Sequence, residues 1–312
     1  MAAGPCLTHY QSAARKRRRV AAGLILLAIP ALIGIFVVLL HQRFYLPVSF
    51  LILALTICPF FMVFERRRPR AREVVLIAMM CAMTTASQVV LHIFLPVQIG
   101  TALIILSGIS LGPEAGFLIG ALSRLVCNFY MGQGPWTPWQ MFCWGILGFL
   151  AGFAFHVGQS EQLHTRRFAV VAGPVLTMAL ALAAAWVCWL WWPAGDGSFW
   201  GWRLYLFGAA GLVAGVLVQR RRLPADTLTL TLFTFFTTFV VYGGIMNICA
   251  MVTAAPLPGS GGISWAALRA LYLSAVPYDL YHAATAALCV FLMGDGMISK
   301  LERIKIKYGI YR

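Results

Sequence analysis

Residues 131–152 read MGQGPWTPWQMFCWGILGFLAG, a turn-forming stretch followed by an apolar run. The glycines and prolines of the first half predict a tight connection, and Pro138 suits the first turn of a helix. The run that begins there has about the 20 residues that a helix needs to cross a hydrocarbon core. Comparable apolar runs elsewhere bring the prediction to ten membrane helices, at about 20–40, 47–64, 73–94, 98–111, 114–130, 137–156, 168–192, 201–218, 226–253 and 265–292.

The overall composition favours membrane helices over a soluble fold. Of the 312 residues, 61% are hydrophobic and 11% are charged, and the mean hydropathy is +0.84. A soluble domain cannot hide so much apolar surface, because its outer layer must face water. Membrane strands would alternate in polarity with a period of two, and these runs do not. The predicted fold class is an all-α polytopic membrane protein.

Positive charge predicts how the helices are oriented. The net charge is +15, and the 24 lysines and arginines, except Arg43, Arg124, Arg203 and Arg269, lie in five clusters beside apolar runs. Lys and Arg collect in cytoplasmic loops, so the clusters predict that both termini are cytoplasmic. Contact with lipid headgroups explains this charge, and we expect no nucleic-acid partner. The clusters lie at 15–19, 66–72, 166–167, 220–222 and 300–312.

Changes in composition divide the chain into parts. The charged stretch ERRRPRAR at 65–72 separates two plain apolar helices from a region with polar residues at membrane depth. We therefore predict an N-terminal extension, 1–72, followed by a core, 73–312. The two helices within about 168–224 are rich in Ala, Leu and Trp, which predicts an inserted helical pair.

Several classes of chemistry lack their motifs in this sequence. There is no GxxxxGK[ST] phosphate loop, no metal-ligand spacing and no convincing Ser/His/Asp arrangement. Seven of the eight cysteines lie in apolar runs without a CxxC pair, which is typical of small buried residues. We expect no cofactor and no resident metal, and any ATP hydrolysis must be performed by a partner protein.

Polar and aromatic residues at membrane depth are the candidates for function, because ionisable groups are costly there. Asp279 and His282 are three residues apart, on one face of the last predicted helix. Trp136 and Trp139 stand in a stretch stiffened by proline and glycine, which favours a ligand-facing lid over a simple aromatic belt. Trp144, in contrast, fits the belt at the membrane interface.

Four motifs together resemble the S component, the substrate-binding subunit, of energy-coupling factor (ECF) vitamin transporters, and most closely the cobalamin-linked group. Ala78 and Ala82 match that family's AxxxA motif on its first core helix. The resemblance covers about 73–167 and 226–309. The motifs are GPWTPWQMFCWGILGFLAG (134–152), YGGIMN (242–247), VPYDLYHA (276–283) and KLERIKIKYG (300–309).

The resemblance implies a six-helix core that captures a vitamin or vitamin precursor, here expected to be cobalamin, from outside a prokaryotic plasma membrane. An alanine-rich face, Ala78, Ala82 and Ala86, would dock on a transmembrane coupling protein driven by two cytoplasmic ATPases. The core helices would be 73–94, 98–111, 114–130, 137–156, 226–253 and 265–292. The expected substrate-binding residues are Gln88, His92, Gln98, Asn128, Gly134, Pro135, Trp136, Thr137, Trp139, Gln140, Tyr242, Asn247, Tyr278, Asp279 and His282.

Two other functions remain open at this point. An intramembrane enzyme, such as a lipid or prenyl transferase or a protease, would use Asp279 and His282 as acid and base. A membrane assembly subunit without transport activity would use neither. Riboflavin or another planar vitamin would use the same aromatic surface as cobalamin, so the residues alone do not separate these ligands.

Overall fold

The computed structural model describes residues 20–39, 46–52, 54–55, 71–94, 97–155, 172–193, 196, 198–218, 226–257 and 262–308. The side chains of 92–94, 172–176 and 216–218 are outside this description. The predicted charge clusters at 15–19, 166–167 and 220–222 are outside it as well, as is most of the boundary segment 65–72. Within the described ranges the chain is helical and contains no strand, which confirms the all-α prediction.

Nine helices run through the described residues, and each corresponds to a predicted span. Residues 46–52 and 54–55, in the predicted second span, are helical as well. The helices are α1 (Val20–Val38), α2 (Ala71–Phe94), α3 (Ile99–Leu111), α4 (Pro113–Met131), α5 (Thr137–Phe155), α6 (Ala172–Trp191), α7 (Trp202–Val218), α8 (Thr227–Ala254) and α9 (Trp265–Tyr308).

Five of the described helices are long and apolar enough to cross a membrane: α1, α2, α5, α8 and α9. Helices α3 and α6 contribute shorter apolar stretches. These helices support a multi-pass membrane protein, while the count of ten spans stays a prediction.

The last helix is longer than predicted. It continues from Trp265 to Tyr308, 44 residues, where the sequence analysis ended it at 292. At about 1.5 Å per residue this is roughly 66 Å, twice the thickness of a hydrocarbon core. Beyond 292 the apolar positions Ile298 and Leu301 pack on other helices, and Lys305 donates to the Ser110 carbonyl oxygen (2.7 Å). The predicted helix end at 292 was wrong. The prediction followed the onset of charged residues, which marks the end of the membrane span, whereas tertiary packing continues the helix to Tyr308.

Glycines bring α3, α4 and α5 into backbone contact. A Cβ atom at Gly116 in α4 would lie 2.5 Å from the Gly148 carbonyl oxygen in α5, and one at Gly120 would lie 2.5 Å from the Trp144 carbonyl oxygen. Gly108 of α3 meets the same Gly148 carbonyl. Small residues allow such approach, which lets helices associate by close packing in lipid. This three-helix contact holds α5 against α3 and α4.

The other helices are arranged around this contact. Helices α2 and α9 pack on α3, and α8 packs along α9. Helix α1 lies against α4 and α5, where Ile29 and Phe36 join Phe117 and Phe142 in one apolar cluster. The predicted inserted pair forms a hairpin in which α6 packs on α7, and α7 in turn packs on α8 and α9. The helices of the predicted inserted pair thus lie on the α8 side of the bundle.

Candidate functional site

The connection between α4 and α5 is a compact, hydrogen-bonded turn. Gly132 ends α4 with a φ of 107°, a left-handed value that glycine adopts without strain. The Gln133 side chain donates to the Leu125 carbonyl oxygen (3.2 Å) and accepts a hydrogen bond from the Thr137 hydroxyl (2.9 Å). The Trp136 ring folds over Gly134, where a Cβ atom would lie 2.5 Å from the ring. The turn predicted from glycine and proline is therefore held by specific contacts.

A chain of polar side chains runs from this turn into the bundle. The Asn128 amide donates to the Thr137 hydroxyl (3.2 Å) and to the Gln140 side-chain oxygen (2.8 Å). The same Gln140 oxygen accepts a hydrogen bond from Nε of Arg124 (3.0 Å). Arg124 and Asn128 are four residues apart, one turn of α4, so both side chains leave the same helix face.

Arg124 is a buried cation in α4, a helix that the sequence predicts to span the membrane. Its side chain is 9% exposed, and its guanidinium carbon lies 4.5 Å from the centre of the Trp144 ring, a cation–π contact. Within the described part of the chain, no carboxylate pairs with Arg124, and only its Nε makes a hydrogen bond. A guanidinium has five N–H donors, so the remaining four have no acceptor among these residues.

An aromatic and histidine cluster adjoins Arg124. The Trp144 indole N–H donates to the Thr101 hydroxyl oxygen (3.1 Å), and Thr101 lies 3.0 Å from Nε2 of His282. Indole is a donor only, so the Thr101 oxygen accepts there and its hydrogen is available to His282. The Tyr242 ring stands edge-on to both Trp144 (4.6 Å between ring centres) and His282 (4.4 Å). Helices α3, α5, α8 and α9 thus meet at one polar and aromatic centre.

A second polar cluster surrounds Asp279. Its Oδ2 accepts a hydrogen bond from the Tyr205 hydroxyl (2.6 Å) and one from the Asn247 amide (3.0 Å). Gly243 makes room for it, because a Cβ atom there would lie 2.6 Å from the same oxygen. Gly243 closes a π-helical segment, Thr238–Gly243, within α8, and such segments are frequent at functional sites. Asp279 and His282 have separate hydrogen-bond partners, which gives no support to an acid–base pair.

Most of the predicted site residues belong to two clusters. Gln88, Asn128, Gly134, Thr137, Gln140, Tyr242 and His282 belong to the turn and the centre around Arg124, and Asn247 and Asp279 form the second cluster. Gln98 occupies the N-cap position of α3 without a capping hydrogen bond from its side chain. Pro135, Trp136 and Trp139 lie at the α4–α5 turn, with Trp139 packed towards the α1 cluster. Tyr278 is 78% exposed and takes no part in either cluster. The His92 side chain lies outside the described residues.

The structure adds three residues that the sequence analysis did not assign to a site. Arg124 was an ionisable candidate at membrane depth but was not included among the expected substrate-binding residues, Thr101 was not chosen, and Tyr205 stood in the predicted inserted pair. Trp144 was predicted to lie in an interfacial belt, and this was wrong: it is 5% exposed and sits in the centre of the bundle. Gly120 lets α4 contact the Trp144 backbone directly, and this contact places Trp144 inside the bundle. The glycines that follow Trp144, at 145, 148 and 152, were the available signal for close packing of this helix.

Three buried polar atoms on residues of the predicted site have no hydrogen-bond partner among the described residues: Oδ1 of Asn128, Nε2 of Gln88 and Nε1 of Trp139. The Gln88 amide rests on Gly100, and its oxygen accepts from the Cys127 thiol (3.1 Å). Buried polar atoms are almost always paired, so unpaired ones call for an explanation. Within the described ranges no three His, Cys, Asp or Glu side chains cluster as metal ligands would.

A separate cavity of about 240 Å³ lies between the α6–α7 connection and the first turns of α9. Asp196 joins these segments by accepting from Arg203 (2.6 Å), Arg269 (3.0 Å) and Trp202 (3.0 Å). Desolvation acts to raise the pKa of Asp196, but the hydrogen bonds and the two arginine charges outweigh it and hold the pKa below its usual value. The predicted inserted pair is therefore clamped to α9.

The predicted docking face lies on α2. Ala78, Ala82 and Ala86 are exposed and follow one another at four-residue spacing. Exposed apolar neighbours, Val75, Met79, Met83 and Val90, widen the stripe. The face is free within the described residues and is apolar along about four turns.

Residues 69–197 match the family described as "ECF-type riboflavin transporter, S component". The matched stretch spans α2 to α6 and contains Arg124, Asn128, Gln140 and Trp144, whereas α8 and α9 lie beyond it. No curated protein and no solved structure matches the chain. An S component is the substrate-binding subunit of a transporter and not an enzyme, so the match supports the transport prediction over the intramembrane enzyme. Over less than half of its length, the chain is similar to riboflavin-type ECF S components, and the cobalamin-linked group is not confirmed.

Proposed function

We propose that this protein is the S component of an ECF importer and binds its vitamin at the centre formed by Arg124, Trp144, Tyr242 and His282. The observation that carries the proposal is the coincidence of two findings. The matched stretch supplies half of this centre, and the centre holds a buried cation that Gln140 links to Asn128, whose Oδ1 is buried and unpaired. Burying a charged or polar group in a membrane costs free energy, so such groups usually mark a site for a substrate or an ion.

Riboflavin is the substrate that we favour. The matched family is named for it, whereas nothing beyond the sequence resemblance supports cobalamin. The edge-on arrangement of Trp144 and Tyr242 offers apolar walls suited to a planar ring, and ligand pockets combine such walls with a few polar groups. A riboflavin-sized ring needs less opening of the packed helices than a corrinoid does.

The transport cycle that we propose uses separate faces of the core. The vitamin enters from the outside, at the end of the bundle that carries the α4–α5 turn. The exposed stripe Ala78, Ala82 and Ala86 of α2 docks on the coupling protein, and two cytoplasmic ATPases supply the energy. The orientation follows from the positive-inside rule, which assigns both termini and the basic end of α9 to the cytoplasm.

Titration of the purified protein tests this function. Riboflavin fluorescence is expected to be quenched on binding, with a dissociation constant below 1 µM (about −8 kcal/mol), and cobalamin is expected not to compete. Trp144→Phe removes the indole donor to Thr101 and part of the apolar wall, so affinity should fall roughly tenfold or more. Trp191→Phe, at a position that is 87% exposed, is the matched control and should leave binding unchanged. Absence of riboflavin binding by the wild-type protein would refute the proposal.

A further inference from the structure

We infer that Arg124 and Asn128 form an edge that reads the imide of a flavin ring, the sequence carbonyl, N–H, carbonyl. Oδ1 of Asn128 accepts the hydrogen of the ligand's ring N3–H, and the free N–H groups of Arg124 donate to an adjacent carbonyl oxygen. The inference rests on the proposed function, since it specifies how that site recognises its vitamin.

The orientation of the two amides follows from Arg124. A guanidinium only donates, so the Gln140 atom that accepts from its Nε must be the oxygen. The Asn128 atom 2.8 Å from that oxygen must then be the amide nitrogen. This nitrogen also donates to Thr137, which leaves Oδ1 as the unpaired acceptor. Asn128 is 1% exposed, so water does not readily supply the missing hydrogen.

Unpaired donors belong to the same cluster as this acceptor. Nε of Arg124 and the Asn128 amide nitrogen contact the same Gln140 oxygen, and the other guanidinium N–H groups have no acceptor among the described residues. Gln88 accepts from Cys127, the residue before Asn128 in α4, and its buried Nε2 is a further unpaired donor. The unpaired groups therefore provide one acceptor and several donors. An imide edge offers acceptor, donor, acceptor.

A simple anion would satisfy only part of this arrangement. A carboxylate could pair with Arg124, but it carries no hydrogen for Oδ1 of Asn128 and would bring two acceptors together. An imide satisfies both residues and needs no charge. Sites built to hydrogen-bond a substrate N–H reject analogues that lack it much more strongly than apolar pockets reject a lost methylene.

Comparison of riboflavin with N3-methylriboflavin tests the inference on the wild-type protein. Methylation removes the N–H, and we expect binding to weaken roughly 10- to 100-fold. In Asn128→Ala the two ligands should bind within about threefold of each other, because the acceptor is gone. Asn128→Leu, which has a similar size and no acceptor, serves the same comparison if the alanine variant does not fold. Arg124→Met should weaken both ligands together and keep the preference for the N–H form.

The outcomes distinguish a failure of imide recognition from a failure of riboflavin binding. Equal binding of the two ligands by the wild-type protein would overturn the imide edge and leave the riboflavin function standing. A preference that persists in both Asn128 variants would also overturn it, since the methyl group would then clash elsewhere. If the wild-type protein binds neither ligand, the proposed function itself fails.

Discussion

Gly120 is one of the positions at which α4 rests directly on the backbone of α5. A Cβ atom there would lie 2.5 Å from the Trp144 carbonyl oxygen, 2.6 Å from its carbon and 2.8 Å from the Gly145 nitrogen. Ordinary contact begins at 3.4 Å, so in Gly120→Ala the two helices must separate by up to 3.4 − 2.5 = 0.9 Å. No flexible side chain is available to give way, and overpacking of this kind costs about 1–3 kcal/mol.

The same separation of α4 from α5 would also change the geometry of the site. Trp144 would be displaced relative to Arg124, which lies one turn after Gly120 and contacts its ring. Loss of one neutral hydrogen bond, such as that from Trp144 to Thr101, is worth about 1 kcal/mol, or roughly fivefold in affinity. We therefore expect Gly120→Ala to lower both thermal stability and riboflavin affinity.

Thermal unfolding in detergent, followed by intrinsic fluorescence, measures the first effect, and riboflavin titration measures the second. The apparent melting temperature should fall by several degrees, at roughly 2–4 °C per kcal/mol. Gly296→Ala in α9 is the control, because a Cβ atom there meets nothing within 4 Å. It should be neutral or slightly stabilising, as alanine favours helix. If Gly120→Ala melts with this control and binds riboflavin as tightly as wild type, the proposed helix contact is incorrect.

Three further predictions concern other parts of the molecule. Tyr205→Phe removes the 2.6 Å hydrogen bond to Asp279 and should lower the free energy of unfolding by about 1.5–3 kcal/mol. Tyr278→Phe, at an exposed position, is the control and should leave stability unchanged. Equal melting temperatures of the two variants would contradict a stabilising role for the Tyr205 hydrogen bond. Asp196→Asn should lower the melting temperature at neutral pH. Because the folded pKa of Asp196 is depressed, the difference from wild type should shrink as pH falls towards that pKa, and a difference independent of pH would argue against the clamp. Ala82→Trp should prevent co-purification with the coupling protein while riboflavin binding survives, and a recovered complex would exclude the docking face.

The positions of the helices were predictable because each apolar run has a length that fits a helix and is bounded by charged or turn-forming residues. The end of α9 was not, since Ile298 and Leu301 continue the helix through tertiary packing beyond the charged boundary. The turn at Gly132–Thr137 was predictable from local chemistry, because glycine and proline restrict the backbone wherever they occur.

The site was harder to predict for a physical reason. In lipid, the outer face of a helix is as apolar as its inner face, so the sequence does not indicate which side of α5 faces the bundle. Trp144 therefore fitted a belt as well as a core. Asp279 and His282 were grouped by helical spacing, yet each found its partner on a different helix, Tyr205 and Thr101. Such partners, far apart in the chain, depend on the packed fold.

The most direct test is mass spectrometry of the small molecules that the wild-type protein retains through purification from its native membrane. A tight-binding S component should carry its vitamin, so we expect riboflavin at close to one molecule per protein, with flavin absorbance in the same fraction. Recovery of protein that carries no vitamin, and that takes up none when riboflavin is added, would contradict the account.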